Sequence, residues 1–343
     1  MRKTLVIKSS PHISSGISVE IIMRNVVYAL LPAAVYSVYA FGLSAALVLI
    51  SATLTCVLTE RLLCHWYGTQ STIGDWSAVI TGLIYGMTLP PGLPLWMVVV
   101  GGIIGIAIGK FLFGGLGFNA FNPALVGRAF LQAAFPAALT HWVPAFSPDR
   151  FNSLASSTLT FPLAKPVYDT VSTATPLAAL KFDAHVTGTM ELFMGATSGS
   201  TGETSALLLL LGGLYLIARN FMNWRIPVGI FVAVIIFSSI FHNIDPTRYG
   251  SPQFMLFSGG LMLGALFMAT DMVASPMTHP GCFIYGLLIG TLIMVIRLWS
   301  GLAEGVMYAI LIGNALSPHI DRLIQPVPYG YQKPDRNREK ETT

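Results

Sequence analysis

The chain has 343 residues, of which 54% are hydrophobic and only 10% charged, and its formal net charge is +4. Soluble domains carry roughly 25% charged residues, so these proportions exclude a large-core soluble globule and indicate an all-α protein that crosses a bilayer many times. Three scattered cysteines, Cys56, Cys64 and Cys282, with no Cys-x-x-Cys spacing, argue against a disulfide framework and against a four-thiolate iron–sulfur centre.

Residues 1–20 are polar, with Arg2, Lys3 and Lys8, and read as a cytoplasmic arm followed by a surface helix around Ile17 to Met23. No charged side chain occurs between Val26 and Thr59. That is too long for one span of roughly 20 residues and enough for two, joined tightly at Phe41-Gly42. Trp76 to Leu89 is a shorter span cut off by Pro90-Pro91, and Leu95 to Phe113 is a glycine-rich one. Its Gly101, Gly105 and Gly109 recur every four residues and share one helix face, the pattern of close backbone packing. Asn119 to Pro136 forms another span, with Asn119, Asn122 and Arg128 inside it.

Residues 137–204 form the one long polar segment, holding five acids (Asp149, Asp169, Asp183, Glu191, Glu203) against Arg150, Lys165 and Lys181. Five more spans follow: Ser205 to Ala218, Ile226 to Phe241, Phe254 to Thr270, Gly281 to Arg297 and Leu302 to Leu316. The tail, 318–343, is basic. About ten transmembrane helices result, as two five-helix halves (21–136 and 205–317) around a long extracytoplasmic, periplasmic loop (137–204). An odd number of spans per half makes the repeats inverted. Gly82 to Thr88 and Gly264 to Thr270 echo one another, as do Gly105-x-x-x-Gly109 and Gly286-x-x-x-Gly290. The basic residues Arg2, Lys3, Lys8, Arg61, Arg219, Arg225 and the tail fall on one side, against Arg248 and Arg297 on the other. The positive-inside rule then puts both termini in the cytoplasm of a bacterial inner membrane.

Within the long loop, Tyr168 to Pro176 is rich in hydroxyls, and Thr175 before Pro176 is biased toward an extended backbone that presents its hydroxyl outward. Read as composition alone, it is a linker turn. The seven histidines are dispersed, without metal-ligand spacing. No Gly-x-Gly-x-x-Gly follows a strand and no phosphate-binding loop occurs; nor does anything point to nucleic acid.

Asp169-x-x-Ser172-x-Ala174-Thr175 resembles the Asp-x-x-Ser/Thr-Gly-Ala-Thr motif of the RnfD/NqrB family of membrane electron-transport subunits, in which FMN is joined through its phosphate to the final Thr. Thr173 stands where the pattern has Gly. Gly195-Ala196-Thr197 ends similarly, but Glu191 and Met194 replace the Asp and the hydroxyl residue. The resemblance is nearer to RnfD, since NqrB has a longer N-terminal region. It implies covalent FMN on Thr175, with Asp169, Ser172 and Ala174 recognised by a separate flavin transferase. It also implies partner Rnf subunits with iron–sulfur and flavin centres, and electron transfer between ferredoxin and NAD coupled to Na+ or H+ translocation. Asn122, Arg128, Thr270 and Asp271 become candidate contacts for a second, noncovalent flavin such as riboflavin; as membrane-embedded polar groups they equally suit structural pairing, Arg128 with Asp271. The competing readings are a small-solute channel or transporter of the same two-repeat shape, and an NqrB-like subunit of a quinone-reducing sodium pump.

Overall fold

The computed structural model describes residues 16–68, 72–164, 173–183, 185–203, 205–246 and 248–326, and among these the regular structure is entirely helical. Helix α1 (Val19–Phe41) begins at Ser18, whose hydroxyl accepts the Ile21 N–H at 3.3 Å, the usual stabilisation of a helix start. A separate surface helix at Ile17 to Met23 does not form, because nothing breaks the run into the membrane. Arg24 pairs with Glu20 one turn back, and Asn25 donates to the Ile21 carbonyl at 2.7 Å and accepts from the Tyr215 hydroxyl at 2.5 Å.

The joint between α1 and α2 (Leu43–Trp66) is one residue, Gly42, at φ 74°. A Cβ there would sit 1.9 Å from the Arg150 carbonyl oxygen, which accepts the Leu43 N–H at 3.0 Å. Arg150 in turn lays its guanidinium over the rings of Tyr39, Phe146 and Phe151. Helices α3 (Ser77–Met87) and α4 (Leu95–Gly109) pack on α2, and α5 (Pro123–Ala134) packs on α4. The glycine face of α4 does what its spacing predicts. Gly101 admits the Tyr85 hydroxyl, while Gly105 and Gly109 lie against the Pro123 backbone of α5. Without a hydrophobic drive between helices in lipid, such close van der Waals contact supplies the cohesion.

Short helices α6 (Pro136–Leu139), α7 (Pro176–Asp183) and α8 (Thr189–Met194) lead to α9 (Ala206–Ala218), which packs on α1. Helix α10 (Arg225–Ile244) makes the most extensive contact of the fold with α13 (His279–Trp299), where Gly286 and Gly290 face the carbonyls of Ile226 and Ile230. The expected single span from Phe254 to Thr270 is broken into α11 (Pro252–Phe257), α12 (Leu261–Leu263) and a π-helical turn at Gly264–Met268. The cause is Ser258-Gly259-Gly260: Gly259 takes φ 65°, which ends the helix. Helix α14 (Val306–Leu323) closes the chain against α13.

Among the described residues, five helical segments are long and apolar enough to cross a membrane: Val19–Phe41, Leu43–Trp66, Leu95–Phe113, Arg225–Ile244 and His279–Trp299. The protein is therefore a multi-pass membrane protein. Leu30, Val48, Met87, Val98, Tyr285 and Ile310 are fully enclosed in its interior, whereas Val35, Leu54, Leu62 and Ile236 point outward, as lipid-facing side chains do.

Candidate functional site

The predicted attachment residue is not on an exposed turn. Thr175 is 8% exposed. Its Oγ1 accepts the Ala178 N–H at 3.3 Å and its carbonyl the Ala179 N–H at 2.8 Å, so it caps α7 with Pro176 as the first helical residue. Thr-Pro is a helix-start signal, and that signal, more than loop composition, describes the site. Ala174 beside it is exposed; Asp169 and Ser172 lie outside the described residues.

Thr175 opens onto a cavity of about 460 Å³ whose wall includes Trp142, Tyr308, Arg128, Glu203 and Glu304. Arg128 therefore belongs with Thr175 and not with Asp271. Its Nη2 donates to Glu304 Oε2 at 3.3 Å, because α5 turns position 128 toward the start of α14. The pairing with Asp271 is overturned by the same geometry. Arg128 Nε and Thr173 Oγ1 are enclosed and have no hydrogen-bond partner among the described residues. A cavity in the roughly 300–1,000 Å³ range of ligand sites, with aromatic walls, an unsatisfied guanidinium N–H and a threonine hydroxyl at its edge, fits a flavin nucleotide.

Glu203 and Glu304 were not foreseen as site residues. Glu304 falls inside the expected span Leu302 to Leu316, where an ionisable residue signals a partner or a site, and Glu203 lies just before Ser205. Burial and the neighbouring Glu304 charge push Glu203 up to about 8, with Arg128 opposing. Glu304 goes the other way. Burial would raise it, but the Arg128 and Arg297 charges and the Gly260 N–H, which donates to its Oε1, hold it below the ordinary carboxylate range.

Asn122, Thr270 and Asp271 do come together, with Asn119, around a second cavity of about 100 Å³ at the other end of α5. Asn122 caps α5 by accepting the Ala124 N–H at 3.0 Å and donates to the Met268 carbonyl at 3.2 Å, which fastens the π-helical turn to α5. Thr270 donates to the Leu266 carbonyl at 2.7 Å, and Asp271 Oδ1 accepts the Val273 N–H at 3.1 Å. The Asn119 amide donates weakly to Asp271 at 3.5 Å, while Asn119 Oδ1 is enclosed and unsatisfied among the described residues. Lys110 also lines this cavity. Its Nζ donates to both Glu60 carboxylate oxygens at 2.8 Å and to Ser77 Oγ at 2.6 Å, tying α4, α2 and α3 together in a buried ion pair. Lys110 and Glu60 lie far apart in sequence, and no local pattern announces their partnership.

The sequence model of the NQR2, RnfD, RnfE family matches residues 6–330. The chain is similar to the D-type component of the proton-translocating ferredoxin:NAD(+) oxidoreductase complex of Clostridium ljungdahlii, 42% identical over 342 residues, covering 97% of this chain and 98% of the relative. It is likewise 42% identical over 335 residues to the D-type component of the Na(+)-translocating ferredoxin:NAD(+) oxidoreductase complex of Acetobacterium woodii, covering 96% of each. The D-type component of the ion-translocating oxidoreductase complex of Alcanivorax borkumensis is 37% identical over 342 residues, covering 97% of this chain and 99% of the relative.

Proposed function

Because the chain belongs to the NQR2, RnfD, RnfE family, we propose that it is the flavin-carrying D-type membrane component of an Rnf-type complex. That complex passes electrons between ferredoxin and NAD in step with Na+ or H+ translocation, and this chain acts in it as relay and scaffold. FMN is esterified through its phosphate to Thr175 by a flavin transferase. The observation that carries the reading is a buried threonine hydroxyl at the edge of a cavity of about 460 Å³ into which Arg128 is turned. Bound there, FMN supplies reversible one- and two-electron chemistry. Thr175 tethers it, Arg128 offers a fixed positive charge to anionic groups, and Trp142 and Tyr308 provide apolar ring faces that exclude water.

The inner cavity is the proposed seat of a second, noncovalent flavin such as riboflavin. Asn119 Oδ1 offers an unsatisfied acceptor, and Asn122, Thr270 and Asp271 supply polar contacts. The flexible side chains of Met23, Met222 and Met272 in its wall have to swing aside to admit a ring system. The two cavities flank α5, with Arg128 six residues beyond Asn122, about 9 Å along the axis.

The ten-span, two-repeat architecture belongs to the same proposal. In each half a short or broken third segment (α3, and Pro252 to Met268) is followed by a glycine-bearing helix (α4, α13), the arrangement in which inverted repeats place central ligands. Arg61, Arg219 and Arg225 near the end of the bundle that holds the Asn122 cavity support, by the positive-inside rule, the reading in which that end is cytoplasmic and Thr175 is periplasmic.

The test is the intact mass of the denatured chain purified from cells that contain the flavin transferase. An added FMN mass and in-gel flavin fluorescence, both lost in Thr175→Ala, support the reading; an unmodified, fully active chain overturns it. Flavin released by acid from Thr175→Ala protein reports the second site separately.

A further inference from the structure

The charged cluster of Glu203, Glu304, Arg128 and Arg297 is drawn from four separate elements. Glu203 precedes α9, Glu304 sits in the turn before α14, Arg128 reaches in from α5 and Arg297 from α13. Lys181 of α7 is turned away from them; its Nζ donates to the carbonyls of Arg297, Ser300 and Leu302 and so pins the turn that carries Glu304. Arg297 is likewise spent on the Met255 and Ser258 carbonyls, at 2.6 and 2.9 Å. Arg128 pairs with Glu304, and the Gly260 N–H adds a second donor to that carboxylate. Among the described residues, Glu203 is left without an ion-pair partner of its own. Its Oε1 is enclosed and has no donor within hydrogen-bond distance there, and the buried Ser200 hydroxyl beside it offsets its burial only in part. A buried carboxylate oxygen with no donor is costly while ionised, and two carboxyl groups facing one another settle the conflict by holding a proton between them.

We propose that Glu203 and Glu304 form a one-proton site whose occupancy answers to charge carried in the Thr175 cavity, the second half of this statement resting on Thr175 as the flavin-bearing residue. Both acids line that cavity, and charges set back in its wall are screened less than exposed ones. When a low-potential reductant places one electron in the cavity, the added negative charge disfavours ionised Glu203. One proton from the periplasmic water then binds the Glu203 carboxylate. One electron and one proton enter, the O–H bond on Glu203 is the only bond that forms, and reoxidation reverses both. With Glu203 near 8 before reduction, the proton is already in place at lower pH, so uptake accompanies reduction only above about pH 8.

The first measurement needs no cofactor. In pH-difference infrared spectra of the full-length chain in detergent, carrying Thr175→Ala, a protonated-carboxyl band is expected to titrate near pH 8, to be absent from Glu203→Gln, and to move to lower pH in Glu304→Gln. A band that persists in Glu203→Gln, or no band above the ordinary carboxylate range, overturns the proton site. If Glu203→Gln fails to accumulate, Glu203→Asp must retain a titrating band at a displaced pH; its absence counts against the site equally. The second measurement is the flavin midpoint potential of the FMN-bearing chain, reduced with dithionite. The wild type is expected to show an extra fall with pH beginning near pH 8 that Glu203→Gln lacks. Identical pH profiles overturn the coupling, whereas a chain that carries the infrared band but no flavin defeats the Thr175 reading and leaves the proton site standing.

Discussion

The Thr175 side-chain oxygen caps α7, and in the proposed function the same oxygen is the attachment point. Three substitutions separate these. Thr175→Ala is expected to lose FMN and about 1 kcal/mol of stability with the cap. Thr175→Asn should recover the cap but not the flavin, and Thr175→Ser should keep both, read by intact mass and thermal unfolding in detergent. The Glu60–Lys110 pair, with both residues at most 3% exposed, behaves differently. Lys110→Met leaves a buried carboxylate uncompensated, at a cost of about 3–5 kcal/mol, and adding Glu60→Gln should recover much of it. Glu203 makes stability depend on pH. A carboxyl raised in the folded state from its ordinary 4.5 to about 8 binds its proton more tightly folded than unfolded, so stability declines as pH rises through that window. Glu304, shifted down, contributes the opposite trend and only at pH below the ordinary carboxylate value. In chemical denaturation between pH 5 and pH 8 the wild type should lose stability relative to Glu203→Gln.

At the scale of elements, helix contacts are set by backbone rather than by side-chain bulk. A Cβ on Gly127 would lie 2.6 Å from the Gly101 carbonyl oxygen, and one on Gly286 would lie 2.4 Å from that of Ile226. Neither helix pair can absorb a methyl without moving apart. Gly127→Ala and Gly286→Ala should each destabilise by about 1–3 kcal/mol, and Gly127→Ala should also disturb both cavities, since α5 carries Asn122 and Arg128 together. Gly74→Ala, with nothing within 4 Å of its Cβ, is the matched control and should unfold with the wild type. The break after α11 follows the same logic. A Cβ at Gly260 would crowd Glu304 Oε1 at 2.7 Å, so the Gly-Gly step is what lets the Glu304 carboxylate reach a backbone N–H.

For the whole molecule, a cavity of about 460 Å³ and a smaller one of about 100 Å³ flank a single helix, α5, and the proposed electron relay runs along that helix. Orientation is open to direct test. A membrane-impermeant thiol reagent on intact spheroplasts should label Asn152→Cys, at the exposed turn beside Arg150, and should label Arg219→Cys only after lysis. The native cysteines are buried and give low background. The reverse pattern would place Thr175 in the cytoplasm, where a periplasmic proton source for Glu203 does not exist.

Much of this protein is legible from its residue order because the bilayer is an exacting solvent. Charge-free runs had to be spans, Gly42 had to be a joint, and glycines every fourth residue had to mark contacts, since each follows from local composition and the satisfaction of backbone groups in lipid. The resemblance carried by residues 169–175 pointed to Thr175, whose role as the attachment point belongs to the proposal. What residue order could not convey was company. Arg128 joins Glu304, which lies 176 positions away; Lys110 joins Glu60, and Glu203 is left facing a second acid. Such pairings exist only after helices distant in sequence pack side by side, when the cost of burying charge, negligible in any short window of sequence, selects which groups must meet.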